Sequence, residues 1–382
     1  MHQIQPYKVA FIGWNPFQLI HIHDLAKQIP NSVFILEQRI NNNLKYFSED
    51  LLQNIQIPII YVKEKELLTL DTQYDIIIVQ TYFNNLQKFT HSKIVMLQYG
   101  YAKEPHNYGV WRALASLIIT YGEYAKEKVL PYAPALALGN PRYDKWHTPE
   151  FHKNVQTKYP LSFQHSKTIL YMPTWGDLSS FSYYIESIIS LSSFYNILIK
   201  IHHNSEFFEK KKIKENPNIY IFGANDDNME LLSLSNIVLS DYSGAIFDAF
   251  YCKKQIVLLD LPIAQLQKSK KIDQYSLEFS QRNLLGTSIS TPQILQYTIH
   301  TLLNQPHSYT VAQKKLYQTL FTNTINATQS TIEALHKLMQ KHFPKTQSQS
   351  YIQQMVITSY NKKCISDMII EKLKKLYKLI KH

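Results

Sequence analysis

Asn236-Ile237-Val238-Leu239-Ser240-Asp241-Tyr242-Ser243-Gly244-Ala245-Ile246-Phe247-Asp248 passes from an apolar run, through small hydroxyl residues and a glycine, into a helix-like stretch. A short Ile/Val/Leu run bounded in this way reads as a buried strand, and strand, turn and helix in that order read as part of a βαβ unit. The turn predicts an anion seat. The first N–H groups of a helix have no intrahelical partner and carry about half a positive charge, and a glycine lets a ligand approach the backbone closely. Gly244 carries weight because the chain holds only nine glycines in 382 residues. The plainer alternative is an ordinary N-cap.

Outward from this segment, short apolar runs alternate with amphipathic stretches. Strands are expected at 8–13, 74–80, 93–97, 117–121, 135–138, 168–172, 196–201, 219–222, 237–240 and 255–260, with helices such as 16–28, 181–191 and 229–234 between them. That alternation predicts an α/β protein with parallel sheets. Trp146-His147-Thr148-Pro149 and Tyr159-Pro160-Leu161 interrupt it, which puts a boundary near 145–165 and gives two doubly wound halves. The domains expected are 1–150, 151–343 and a tail of 344–382, in which polar 344–352 is a linker. Ile369, Ile370, Leu373, Leu376, Tyr377 and Ile380 then recur at helical spacing among lysines. Residues 365–382 are therefore a candidate amphipathic helix for an anionic membrane surface, each lysine near it contributing about 1 kcal/mol, or else a helix packed on its own domain.

Composition narrows the classes. Hydrophobic residues are 45% and charged residues 18%, as in a folded soluble chain. Cys252 and Cys364 alone allow no disulfide framework, and no Cys/His cluster has zinc spacing, so no metal or other cofactor is expected. No signal pattern opens the chain and no apolar run approaches the roughly 18 to 20 residues that span a bilayer, so a cytoplasmic protein is expected, peripheral at the inner membrane face if the tail binds there. The net charge of +11 suggests anionic partners. Nucleic acid is not among those expected, since neither an aromatic-interleaved RNA motif nor a helix-turn-helix pattern is present.

Four further segments follow apolar runs, where ligands of doubly wound sheets bind: Gln98-Tyr99-Gly100, Gly139-Asn140-Pro141-Arg142-Tyr143-Asp144, Pro173-Thr174-Trp175-Gly176-Asp177 and Lys200-Ile201-His202-His203. Singly, each has a dull reading. His202 can be a structural histidine, Arg142 and Asp144 can pair across their turn, and Asp248, two helical turns beyond Asp241, can face solvent.

Together their order and spacing resemble the CDP-glycerol glycerophosphotransferase family, which primes and polymerises teichoic acids and related capsule polymers. Tyr171-Met172-Pro173-Thr174-Trp175 is similar to the family's Tyr-Ala-Pro-Thr-Phe/Trp turn, and Lys200-Ile201-His202-His203 to its Lys-x-His-Pro. Asp226-Asp227 with Leu231-Leu232-Ser233-Leu234-Ser235-Asn236 resembles the acidic-then-leucine lead-in to the phosphate strand. Residues 240–248 resemble Thr-Asp-Tyr-Ser-Ser-x-x-Phe-Asp, and 139–144 resemble Gly-x-Pro-Arg-x-Asp. The resemblance spans about residues 90 to 262 and is most specific in the second half. It departs at Gln98-Tyr99-Gly100, where the family has Trp-His-Gly and the histidine usually assigned as base, and at His203, where it has proline. A phenol with a reference pKa near 10 is a poor base at neutral pH, which leaves His106 as the substitute.

The resemblance implies a GT-B architecture, two Rossmann-like domains facing across a cleft, with the nucleotide held mainly by the second. It implies a CDP-alcohol donor whose diphosphate lies at Ser243 and Gly244, within a phosphate motif that includes Asp241 and Asp227. Thr174 helps to hold the phosphates, Asp248 meets the ribose, and Gly139, Arg142 and Asp144 form a cleft turn. His202 faces the reacting phosphorus as proton donor or cation, Tyr99 and His106 lie on the acceptor side, and the acceptor is a polymer or glycolipid hydroxyl. Two alternatives stay open: a GT-B glycosyltransferase using a UDP- or CMP-sugar, and a catalytically silent nucleotide-binding protein.

Overall fold

A computed structural model describes residues 7–202, 204–205, 209–210, 213–269, 273–322 and 325–380, with the backbone alone at 364, 365 and 367–380. Two parallel sheets organise the chain. The first contains β1 (Val9–Gly13), β2 (Val33–Gln38), β3 (Ile59–Lys63), β4 (Ile76–Val79), β5 (Lys93–Leu97), β6 (Leu117–Thr120) and β7 (Ala135–Ala137), in the order β3-β2-β1-β4-β5-β6-β7. The second contains β8 (Thr168–Met172), β9 (Asn196–Lys200), β10 (Ile219–Phe222), β11 (Ile237–Ser240), β12 (Gln255–Leu259) and β13 (Thr287–Ile289), in the order β10-β9-β8-β11-β12-β13. Central strands such as β1, β4, β8 and β11 are buried throughout, which is why they read as unbroken apolar runs.

All ten runs expected as strands are strands. β2, β3 and β13 were not expected. β3 lies at a sheet edge and is mostly exposed or half-buried, and β13 is three residues long with two of them exposed, so neither carries a buried apolar pattern.

Chain order reverses between β1 and β4 in the first sheet and between β8 and β11 in the second. At such switch points the loops leaving the strands diverge and open a crevice beyond their carboxyl ends. The two sheets direct these crevices at one another. A continuous buried cluster joins the halves, with Tyr101 packed 5.3 Å from Phe247 and 5.7 Å from Phe321, and Tyr143 stacked on Tyr251 at 3.9 Å. Gly122 permits a close crossing, since a Cβ there would lie 2.2 Å from the Leu320 carbonyl oxygen.

After the second sheet the chain returns to the first. The helix Ala327–Met339, which the sequence groups with 151–343, buries Ala334, Leu335 and Leu338 against β1, β4 and β6. Its first amides, Ala327 and Thr328, donate to the Asp144 carboxylate at 2.9 and 2.8 Å. Residues 347–352, expected as linker, are the opening turns of a helix, Gln347–Ile380. Thr346 and Gln349 exchange reciprocal bonds of 3.2 and 3.0 Å that cap it, and Gln349 Nε2 docks it on the Leu130 carbonyl. Nearly all the side chains of the proposed surface-binding face, 365–382, lie outside the described residues. Among those described, no helix is long and apolar enough to cross a membrane.

Candidate active site

Ser240 ends β11 opposite Met172 of β8, and its Oγ donates to the Met172 carbonyl at 2.7 Å. Asp241 is fully buried. One carboxylate oxygen accepts the Thr174 amide at 2.8 Å and the other accepts the Ser180 amide and hydroxyl at 2.8 and 2.9 Å. Asp241 thus does not reach the cleft. It pins the Pro173-Thr174 turn beside the Ser243-Gly244 turn, while burial raises its pKa against the pull of those three bonds. Arg282 braces the same turn from behind, donating to the Asp241 carbonyl at 2.8 Å and lying 4.2 Å over the Tyr242 ring.

Gly244 opens the helix Ala245–Tyr251 with φ −61°, a conformation that any residue adopts. A Cβ there would meet only Ala102 Cβ, at 3.8 Å, so the protein itself does not demand glycine at this position. The bare backbone faces an interdomain cleft with about 1170 Å³ of free space, its open mouth included.

Seven of the residues singled out from the sequence line this one cleft: Tyr99 and His106 from the first domain, and Thr174, His202, Ser243, Gly244 and Asp248 from the second. His202 leaves β9, its ring 5.9 Å from Trp175, and its Nδ1 accepts the Asn204 amide at 3.2 Å. That bond favours the tautomer with the proton on Nε2. Burial pushes the Tyr99 phenol up to about 12 despite a bond to Asn15, so at neutral pH it is a proton donor and not a base. Burial, Lys103 and Arg112 lower the His106 pKa, which keeps its imidazole neutral and able to accept a proton.

The remaining four singled-out residues lie behind the cleft. Gly139 turns with φ 88°, which glycine accommodates without strain. Arg142, 1% exposed, does not pair with Asp144, as its turn alone suggested. It crosses the domain junction to Asp227 at 2.6 Å and Asp248 at 3.2 Å, and its NH1 lies 2.6 Å from His21 Nε2. Burial and the adjacent guanidinium keep His21 neutral, so its Nε2 accepts. Burial opposes ionisation of Asp227, but Arg142 and Lys145 outweigh it and hold that carboxyl well below the usual range. Asp248 is buried, not solvent-facing, and accepts bonds from Tyr143 at 2.7 Å and Asn228 at 3.1 Å as well as from Arg142. The sequence reading gave no role to Lys103, Lys200, Asn228 or Tyr143, which also line the cleft. Lys200 stood inside a quoted motif, whereas Lys103 and Asn228 gave no local signal.

Residues 125–275 match the family model described as CDP-Glycerol:Poly(glycerophosphate) glycerophosphotransferase. Over these residues the chain is similar to the CDP-glycerol glycerophosphotransferase family. That model describes a transferase of the glycerophosphotransferase type. The match starts after Gln98-Tyr99-Gly100, the segment that departs from the family pattern, and includes every second-domain residue that lines the cleft. The fold is similar over most of the chain. The wall teichoic acid polymerase TagF superposes with TM-score 0.64 at 16% identity, over 89% of this chain and 90% of that one, and one of its structures carries CDPG. The UDP-GlcNAc 2-epimerase of Methanocaldococcus jannaschii, in complex with UDP-GlcNAc and UDP, superposes with TM-score 0.58 at 13% identity, over 86% and 99%. No curated protein sequence matches.

Proposed function

We propose that the cleft transfers glycerol phosphate, or a similar alditol phosphate, from a CDP-activated donor to a hydroxyl of a growing cell-surface polymer at the cytoplasmic face of the envelope. One observation carries this reading: the Ser243-Gly244 turn, Thr174 and His202 share a cleft with Tyr99 and His106 of the other domain. The donor diphosphate takes the seat at Ser243 and Gly244, with the Thr174 hydroxyl beside it. Asp248 has about four acceptor positions, and its protein partners fill three, which leaves one for a ribose hydroxyl.

The acceptor oxygen attacks the phosphorus that bears the glycerol and forms a new P–O bond. The bond to the bridging oxygen breaks, and its electron pair leaves with CMP. His106 accepts the acceptor proton, and the His202 Nε2–H donates toward the departing oxygen. Catalysis of this kind is mostly positioning and charge stabilisation, and one well-aimed donor is worth about 3 to 4 kcal/mol.

The test is release of CMP from CDP-glycerol by purified protein given a polymer primer. His202→Ala is expected to lose most of the activity, and kcat/KM is expected to fall with acid through a pKa below 6.5, because the neutral form of His106 is the active one. Absence of turnover and of thermal stabilisation across a panel of CDP-alcohols refutes the reading. Departure from the family at Tyr99 favours a second reading, a UDP- or CMP-sugar glycosyltransferase. The stabilising nucleotide separates the two, since a ligand at 100 times its Kd adds about 2.7 kcal/mol.

A further inference from the structure

We propose that a second pocket, at the domain junction behind the cleft, binds a stretch of the acceptor polymer remote from its reacting hydroxyl, a chain of alditol units joined by phosphodiesters. The inference takes its ligand from the glycerophosphotransferase reading and adds a binding site to it.

The pocket holds about 1360 Å³ of free space, its open mouth included, and is lined by Trp146 and His147 of the first domain and by residues from 251–253, 307–309 and 314–321 of the second. One pair of rings divides it from the cleft. Tyr143 lines the cleft, Tyr251 lines the pocket, and the two stack at 3.9 Å.

Its chemistry selects the ligand. Trp146, Tyr309 and Tyr317 bring aromatic surface, and Lys253 and Lys314 bring positive charge, with no carboxylate among the described residues of the lining. Burial holds the His147 and His307 imidazoles below the usual histidine range, so the two lysines carry the charge at neutral pH. Such a pocket repels cations and suits a chain whose every repeat has one phosphodiester anion and a short run of carbon-bound hydrogens. The ammonium groups meet the first and the ring surfaces meet the second.

The aromatic wall is fixed in place by bonds of its own. Tyr309 Oη donates to the Phe250 carbonyl at 2.5 Å and Tyr317 Oη to the Tyr251 carbonyl at 3.2 Å, which anchors both rings on the last turn of the helix Ala245–Tyr251. A preformed surface loses less ordering entropy when a ligand arrives.

Lys253 ties this pocket to an anion. The same helix ends in a Schellman motif, in which the Lys253 amide donates to the Phe250 carbonyl at 3.1 Å and the Lys254 amide to the Ala249 carbonyl at 3.0 Å. The motif needs one left-handed residue, and Lys253 takes that place at φ 55° although glycine fills it without a steric cost. A backbone role alone is therefore met better by glycine. An ammonium at the pocket, 5.6 Å over the Tyr317 ring, requires the lysine.

The experiment measures, by calorimetry, binding of a lipid-free poly(glycerol phosphate) chain to wild type, Lys253→Gly and Lys253→Arg, with melting temperatures recorded for each. Lys253→Gly is expected to weaken binding about tenfold, the loss of one charge-assisted contact, while melting no lower than wild type because glycine relieves the left-handed backbone. Lys253→Arg keeps the charge and should bind within about threefold of wild type. In CMP release, Lys253→Gly should raise KM for a long primer about tenfold more than KM for a single-repeat primer, which occupies one site only. Equal affinities of wild type and Lys253→Gly overturn the proposal. So does a glycine variant whose affinity falls only together with its melting temperature, since that marks a structural lysine. Vesicles of phosphatidylglycerol and phosphatidylcholine form a second arm: if Lys253→Gly loses the vesicles and keeps the polymer, the pocket serves a lipid headgroup and the proposal falls. Wild type that releases no CMP refutes the glycerophosphotransferase reading, a separate result, because the binding comparison needs no turnover.

Discussion

Glu278 shows at the level of one residue how the domain junction depends on pH. Its Oε1 accepts the Lys103 amide, its Oε2 is buried without a partner, and burial, reinforced by Glu104, pushes its pKa up from 4.5 to about 7. A carboxyl whose folded pKa exceeds its unfolded one destabilises the fold once it ionises. The penalty is absent below about 4.5, grows between 4.5 and 7, and is constant above. Glu278→Gln keeps the acceptor for Lys103 and removes the charge. The variant should gain on wild type as pH rises through that window, reaching about 2–3 kcal/mol at pH 8. Thermal unfolding from pH 4 to 8 measures it, and a difference independent of pH disproves the account. The same residue-scale physics separates Tyr99 from His106, since burial removes one as a base and preserves the other in its neutral form.

Two strand-end turns meet in the cleft as elements because Asp241 ties them. β11 delivers the Ser243-Gly244 turn, β8 delivers Thr174, and the buried carboxylate accepts three donors from the second segment. Asparagine would offer one acceptor oxygen where the carboxylate offers two and would turn an N–H toward another donor. Asp241→Asn should cost about 1–3 kcal/mol and raise KM for the donor more than it lowers kcat, because the seat loses shape before the chemistry does. Steady-state kinetics decide it, and an unchanged KM counts against a positioning role. Little of this was visible beforehand. The sequence singled out Asp241 and Thr174 but not the bond between them, because 67 residues separate the pair. The helix start at 347 was visible in principle, since Thr346 and Gln349 have capping-box spacing, although the glutamine-serine run around them suggests a linker.

Arg142 acts on the whole molecule. Its guanidinium, from the turn after β7, pairs with Asp227 and Asp248 of the other domain, and Lys145 reaches Asp227 from the next helical turn at 2.8 Å. Removing one partner of a buried charge network strands the others and costs about 3–5 kcal/mol, far more than an exposed ion pair is worth. Arg142→Ala should therefore lower the unfolding midpoint substantially. It should also raise the donor KM, because Asp248 lies at the cleft wall and loses the cation that orients it. A stability within about 1 kcal/mol of wild type would show that the domains are held together by the Tyr101, Tyr143, Phe247 and Phe321 packing alone.

The amino-acid sequence by itself determined the alternation of buried strands and helices, the division into two parallel sheets and the turns that carry polar groups at strand ends. These are local properties: a buried strand needs a short apolar run, and a turn needs small or hydroxyl residues beside it. What only the tertiary structure decided was which of those groups meet. Arg142 left Asp144 for two aspartates more than 80 residues away, Asp144 capped a helix 183 residues on, and Asp248 turned inward to be clamped. Such pairings depend on how two sheets face each other across a crevice. Burial then fixed the charge of His21 and Tyr99, and Arg142 with Lys145 fixed that of Asp227, which residue type alone leaves open.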